Sequence, residues 1–147
     1  MPAKTTVERA KKDLREGKSP TTAAGEFVHE EIDHVRRGKH GARSPQQAIA
    51  IGLSKARRSG VPLPPPARGK AKEKTRRSAE RAYQKGQAGA RKPRPKYSRI
   101  REDVLKREPR STASRKALSR QARTAARRRK PASATTTGRS AGSRKAA

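Results

Sequence analysis

A chain of 147 residues with 41 Lys and Arg against 12 Asp and Glu, a formal charge of +29, needs an external polyanion to offset it. Its 29% apolar content, with one Phe, two Tyr and no Trp, cannot fill a core of that length, and the lack of cysteine excludes disulfides and thiolate metal sites. The apolar run Ala48 to Leu53 is far short of the roughly 20 residues that span a bilayer, so a soluble intracellular protein with no membrane partner is expected.

The charge is uneven: 13 basic residues face 7 acidic ones through Gly60, and 28 face 5 beyond it. The expected fold is mainly α. A small helical module of two to three helices occupies residues 1–60, a proline-rich linker 61–69, a basic conditionally helical region 70–129 and a disordered basic tail 130–147.

In chain order, Thr5 and Glu8 have capping-box spacing, with Val7, Ala10 and Leu14 on one side and Gly17 as a stop. Ser19-Pro20 starts a second helix running to Gly38, whose Ala24, Phe27, Val28, Ile32 and Val35 form one narrow stripe. Ser44-Pro45-Gln46-Gln47 repeats that entry for a third helix ending at Gly60, in which Gly52 permits a close crossing. Val61-Pro62-Leu63-Pro64-Pro65-Pro66 reads as an extended spacer.

Beyond the spacer, Lys70 to Lys85 favours helix with Ala71, Ala79, Ala82 and Tyr83 as its apolar surface. Tyr97-Ser98 reads as staple and cap of a helix carrying Ile100, Val104 and Leu105, and Ser111 or Thr112 starts another through Arg129. These helices are expected to lack fixed tertiary packing and to gain order when phosphates neutralise them.

The densest polar cluster is Glu26 to His34. His29 and His34, five apart, diverge by roughly 140° on a helix and cannot share an ion. Glu26, Glu30 and Asp33 share a face that could hold Mg²⁺, but a solvated stripe paired with Arg37 and the basic tail accounts for it. Glu31 falls inside the apolar stripe and needs a partner, either Lys55 or Arg58 across the hairpin or a charge on another protein. His40 reads as an ordinary loop residue. Lys39 and Arg43 flank flexible glycines before the third helix, where free amides suit a phosphate.

Nucleophile elbows, Walker loops and dinucleotide fingerprints are missing, so neither an enzyme, a small-molecule substrate, a cofactor nor a metal is expected. The candidate phosphate-binding residues are Lys39, Arg43, Lys55, Arg57, Arg58, Arg76, Arg77, Arg91, Lys92, Arg94, Lys96, Arg115, Lys116, Arg127, Arg128, Arg129 and Lys130. Scarce aromatics disfavour base stacking on single strands, so duplex DNA is preferred over RNA. Gln46 and Gln47 could read adenine if the second and third helices imitate a helix-turn-helix.

The Ala-, Lys- and Pro-rich second half resembles the tails of linker histones and bacterial histone-like proteins, which implies DNA compaction without strong sequence preference. Gly17-Lys18-Ser19-Pro20-Thr21-Thr22-Ala23-Ala24-Gly25-Glu26-Phe27-Val28, Gly38-Lys39-His40-Gly41-Ala42-Arg43-Ser44 and Gln47 to Arg57 resemble the shared core of a family of small basic bacterial proteins with a domain of unknown function. That resemblance implies a bacterial origin and carries over no catalytic residue. The expected function is a non-enzymatic, nucleoid-associated architectural protein. The alternatives are an RNA- or ribosome-associated structural protein, or an adaptor using the Phe27 and Val35 face.

Overall fold

The structure, a computed structural model, describes residues 2–89 and 95–129. Arg91, Lys92, Arg94, Lys130 and the predicted tail lie outside the described residues. The described chain is all α: α1 (Lys4–Arg15), α2 (Pro20–Arg36), α3 (Pro45–Arg58), α4 (Glu73–Gln87), α5 (Pro95–Lys106), a 3₁₀ turn (Ser111–Ala113) and α6 (Arg115–Arg129), with no strand among the described residues.

The two Ser-Pro entries behave as their chemistry requires. Ser19 Oγ accepts the Thr22 amide at 3.2 Å, and Ser44 Oγ accepts the Gln47 amide at 3.2 Å. Gln47 completes its box one residue early, its Oε1 taking the Arg43 amide at 2.6 Å. Gly38, at φ +75°, closes α2 with a left-handed cap: its own amide reaches Val35 and the Lys39 amide reaches His34 O at 3.0 Å.

The first entry differs from expectation. The α1 helix begins at Lys4 behind Ala3, with no side-chain cap, so the Thr5/Glu8 box does not form. Glu30 of α2 takes the Ala3 amide instead, through Oε1 at 2.9 Å. A tertiary carboxylate thus replaces the local cap.

The core is built from small side chains. Ala10, Ala23, Ala24, Phe27, Ala56, Val61 and Leu63 form one buried cluster, and Val35, Ala42, Ala48 and Ala113 a second. With methyl groups at most contact positions, the α2 and α3 backbones approach until a Cβ on Gly52 would lie 2.7 Å from Val28 Cα. The close crossing expected of Gly52 is present. Phe27 and Val35 are fully buried inside the chain, so the partner face expected there is corrected to core.

Residues 61–69 are also not the free spacer expected, because Val61 and Leu63 are buried against α1 and α2. Proline nitrogens bring no donors to satisfy, and the carbonyls find one cation. Arg57 donates Nε to Leu63 O and Nη2 to Pro64 O, each at 3.1 Å.

Part of the basic region packs as well: α4 and α6 both meet α3, which corrects for them the expectation of helices without fixed packing, whereas α5 meets no other helix among the described residues. Ala79 and Ala82 bury α4 against α3. Residues 105–113 form a strap over the α2–α3 loop, where the Gly41 amide donates to Leu105 O at 2.8 Å and the Ala42 amide to Pro109 O at 3.0 Å. Thr112 Oγ1 donates back to Ala42 O at 3.0 Å, and Arg36 Nε donates to Ala113 O at 2.9 Å. The α5 helix begins at Pro95, before the predicted Tyr97-Ser98 cap, and leaves Ile100 and Val104 half exposed.

Candidate nucleic-acid interface

The α6 helix carries Arg115, Lys116, Arg120, Arg123, Arg127, Arg128 and Arg129 in 15 residues and not one carboxylate. It starts one residue beyond Ser114, whose Oγ accepts the Ala117 amide at 3.2 Å, rather than from Ser111 or Thr112. Ala117, Leu118, Gln121 and Ala125 are the partly buried positions and define its inner side. At 100° per residue, Lys116, Arg120, Arg123 and Arg127 fall within about 60° of one another on the opposite side. All four are exposed. Gln46 Nε2 donates to Gln121 Oε1 at 2.5 Å and fixes the helix against the start of α3.

The expected phosphate ligands divide sharply by what already neutralises them. Lys55 Nζ lies 2.5 Å from Glu31 Oε2 inside the core. Arg57 is buried on the Leu63 and Pro64 carbonyls. Arg76 pairs with Glu73 at 2.8 Å and Glu80 at 3.4 Å, and Arg77 pairs with Glu73 at 3.1 Å. Hydrogen bonds from Arg76, then Arg77, pull the Glu73 carboxyl down to about 2. These four cations serve the fold or are locally compensated, which corrects their reading as phosphate ligands.

Lys39, Arg58, Arg115, Lys116, Arg127, Arg128 and Arg129 remain exposed, without a carboxylate partner among the described residues. Arg43 is exposed and lies 3.5 Å from Glu108. Lys96 sits in the first turn of α5. The free amides expected at the start of α3, beside Lys39 and Arg43, are largely taken up within the protein: Pro45 has none, the Gln47 amide goes to Ser44 Oγ and the Ala48 amide to Ser44 O. Adenine reading by Gln46 and Gln47 is corrected likewise, since both side chains are engaged within the protein.

Arg120 and Arg123 were not among the candidates. Neither stands next to another basic residue, and the signal that marks them is the i, i+4, i+7, i+11 spacing that unites them with Lys116 and Arg127 in the sequence.

The acidic side of α2 is a separate site. Glu31 is fully buried, and of the two partners expected within the chain it takes Lys55, so the reading as a charge facing another protein is corrected. His40 is no ordinary loop residue, because its Nε2 comes within 3.2 Å of Glu31 Oε1. The His34 and His40 rings meet edge to face, centroids 6.1 Å apart. Burial, then the charges of Lys39 and Lys55, holds His34 below the usual imidazole value against the pull of Glu30 and Glu31. The expected solvated stripe is corrected too: Glu26 pairs with Arg9 at 3.8 Å and Asp33 with His29 at 3.7 Å, while Glu30 packs against His34 at 3.5 Å.

Comparison with family models, curated proteins and solved structures finds no match to this chain. No matched family therefore supplies a role for any residue from Gly17 to Gly60. Among the described residues, no helix is long and apolar enough to cross a membrane.

Proposed function

We propose that this chain is a non-enzymatic, nucleoid-associated protein that binds duplex DNA through its phosphates and acts as an architectural element. The observation that carries the reading is α6: a cationic stripe with no carboxylate, held on a folded support by the strap and by the Gln46–Gln121 bond. A B-form major groove, about 12 Å wide, accepts one α-helix, whereas the deep, narrow groove of A-form RNA does not. That difference favours DNA. The stripe has no carboxamide to read adenine, and its guanidinium and ammonium groups meet phosphates on any sequence, so contacts to the backbone supply most of the affinity and guanine edges the only base contact these side chains suit.

Each neutralised phosphate releases condensed counterions, so seven contacts from α6 give a log-log salt slope of about −6 on duplex DNA. Raising salt from 50 to 200 mM then weakens binding by about 10³-fold or more. The quadruple variant Lys116→Glu, Arg120→Glu, Arg123→Glu, Arg127→Glu should lose about 3 to 4 from the magnitude of that slope. The Arg76→Gln, Arg77→Gln variant should leave the slope nearly unchanged, because Glu73 and Glu80 together already compensate both cations. Fluorescence anisotropy on unrelated duplexes and on a structured RNA, across a salt series, reads all of this. Equal losses in the two variants, or tighter salt-resistant binding to the RNA, would refute the assignment.

A further inference from the structure

The second polar cluster has no part in phosphate binding, and its chemistry is of another kind. Glu31 and His34 are three apart on α2 and project from one face, and Gly38 turns the chain so that His40 closes on them from the loop. His40 Nδ1 lies 3.0 Å from the Gly41 carbonyl, an acceptor that suits a ring hydrogen on Nδ1, and in the neutral ring with that tautomer Nε2 carries the lone pair. That lone pair faces Glu31 Oε1 at 3.2 Å without the alignment of a hydrogen bond.

The same carboxylate is fully buried, and its two oxygens are treated differently. Oε2 is held by Lys55, whereas Oε1 is buried with no hydrogen-bond partner. An orphaned carboxylate oxygen opposite an imidazole nitrogen's lone pair is costly unless a cation occupies the space they share. One ligand atom from each of Glu31, His34 and His40 lies within 4.8 Å of the others. Donors around a four-coordinate zinc, with bonds of about 2.0–2.1 Å, stand about 3.3 Å apart, so side-chain movements of about 1 Å complete the set.

We infer that Glu31, His34 and His40 form a binding site for one divalent transition-metal ion of the zinc class. Two imidazoles and a carboxylate suit such an ion and suit neither Mg²⁺ nor Ca²⁺, which prefer oxygen alone. The outer partners have the form such sites use: the Gly41 carbonyl orients His40, and Glu30 stands 3.5 Å from His34. A cleft of about 220 Å³ between α1 and α2 is lined in part by Glu30 and His34 and so borders the site on the His34 side. The bound ion ties the last turns of α2 to the loop on which the strap docks.

The test uses the full chain, freed of nucleic acid at high salt, titrated with Zn²⁺ against a chromogenic chelator and with Co²⁺ in the visible. One equivalent of metal is expected, with the intense absorption of a four-coordinate Co²⁺ centre. His40→Gln and His34→Gln should each weaken binding tenfold or more, while exposed His29→Gln leaves it unchanged. Far-UV circular dichroism of the metal-free proteins checks that the variants fold. Should His34→Gln unfold, His40→Gln, placed in a loop, still decides. Failure of the unaltered chain to take up one equivalent, or uptake by His40→Gln equal to it, overturns the inference.

Discussion

Replacing Lys55 by Met lowers the unfolding free energy by about 3–5 kcal/mol, the loss expected when one partner of a buried ion pair is removed. Glu31 has no exposed surface, so its charge cannot turn to water once the ammonium is gone. Its other oxygen has no hydrogen bond to fall back on. A small domain holds only about 5–15 kcal/mol in total, so the variant should melt far below the parent. The double variant Glu31→Leu, Lys55→Met removes both charges and should recover most of the loss, because an apolar pair of similar volume needs no compensation. Urea titrations of the three proteins give the comparison. A loss under about 1 kcal/mol for Lys55→Met would mean that Glu31 is wet or protonated and the pair incidental.

A second large effect is expected at Gly86, where two contributions oppose each other. Alanine in a helix interior gains about 1 kcal/mol over glycine. At this position, however, a Cβ would overlap the Arg57 carbonyl, with Arg58 backbone just beyond it. Backbone cannot rotate aside as a side chain does, so α4 must lift from α3 and uncover Ala79 and Ala82. Overpacking costs about 1–3 kcal/mol and occasionally more. The clash should win, with a net loss of about 1 kcal/mol, reaching about 2 kcal/mol at the upper end of that range, for Gly86→Ala. Hydrogen exchange would show the α4 amides losing protection while α1 and α2 keep theirs. Stabilisation by the variant would show that α4 floats free of α3.

The parts of the fold legible in the sequence are those whose signals are local. Ser19-Pro20, Ser44-Pro45 and Gly38 carry their capping chemistry within four residues, and α2 and α3 lie where those signals put them. Glu31 was legible by phase alone, as a carboxylate in an apolar stripe. What the sequence concealed is the docking of the second half. Gly41 and Ala42 bond to Leu105 and Pro109 through main-chain groups, which every residue possesses and no pattern marks. Ala113 completes a buried cluster with a single methyl, too little apolar surface to stand out in a Ser- and Arg-rich stretch. Arg57 was misleading for a related reason: its neighbour Arg58 makes the pair look like a phosphate clamp, and only the returning proline segment shows which of the two turns inward. His40 was legible as a residue but not as a neighbour of Glu31, because the turn at Gly38 sets that distance.

An interior made mostly of methyl groups has a thermodynamic signature of its own. Unfolding releases little hydrocarbon into water, since Phe27 is the lone aromatic ring among the fully buried residues. Apolar hydration supplies the positive heat-capacity increment of denaturation, commonly about 12–15 cal/mol/K per residue, and polar exposure subtracts from it. Calorimetry should therefore return a value below that range. The stability curve is then shallow, and the protein tolerates cooling about as readily as warming.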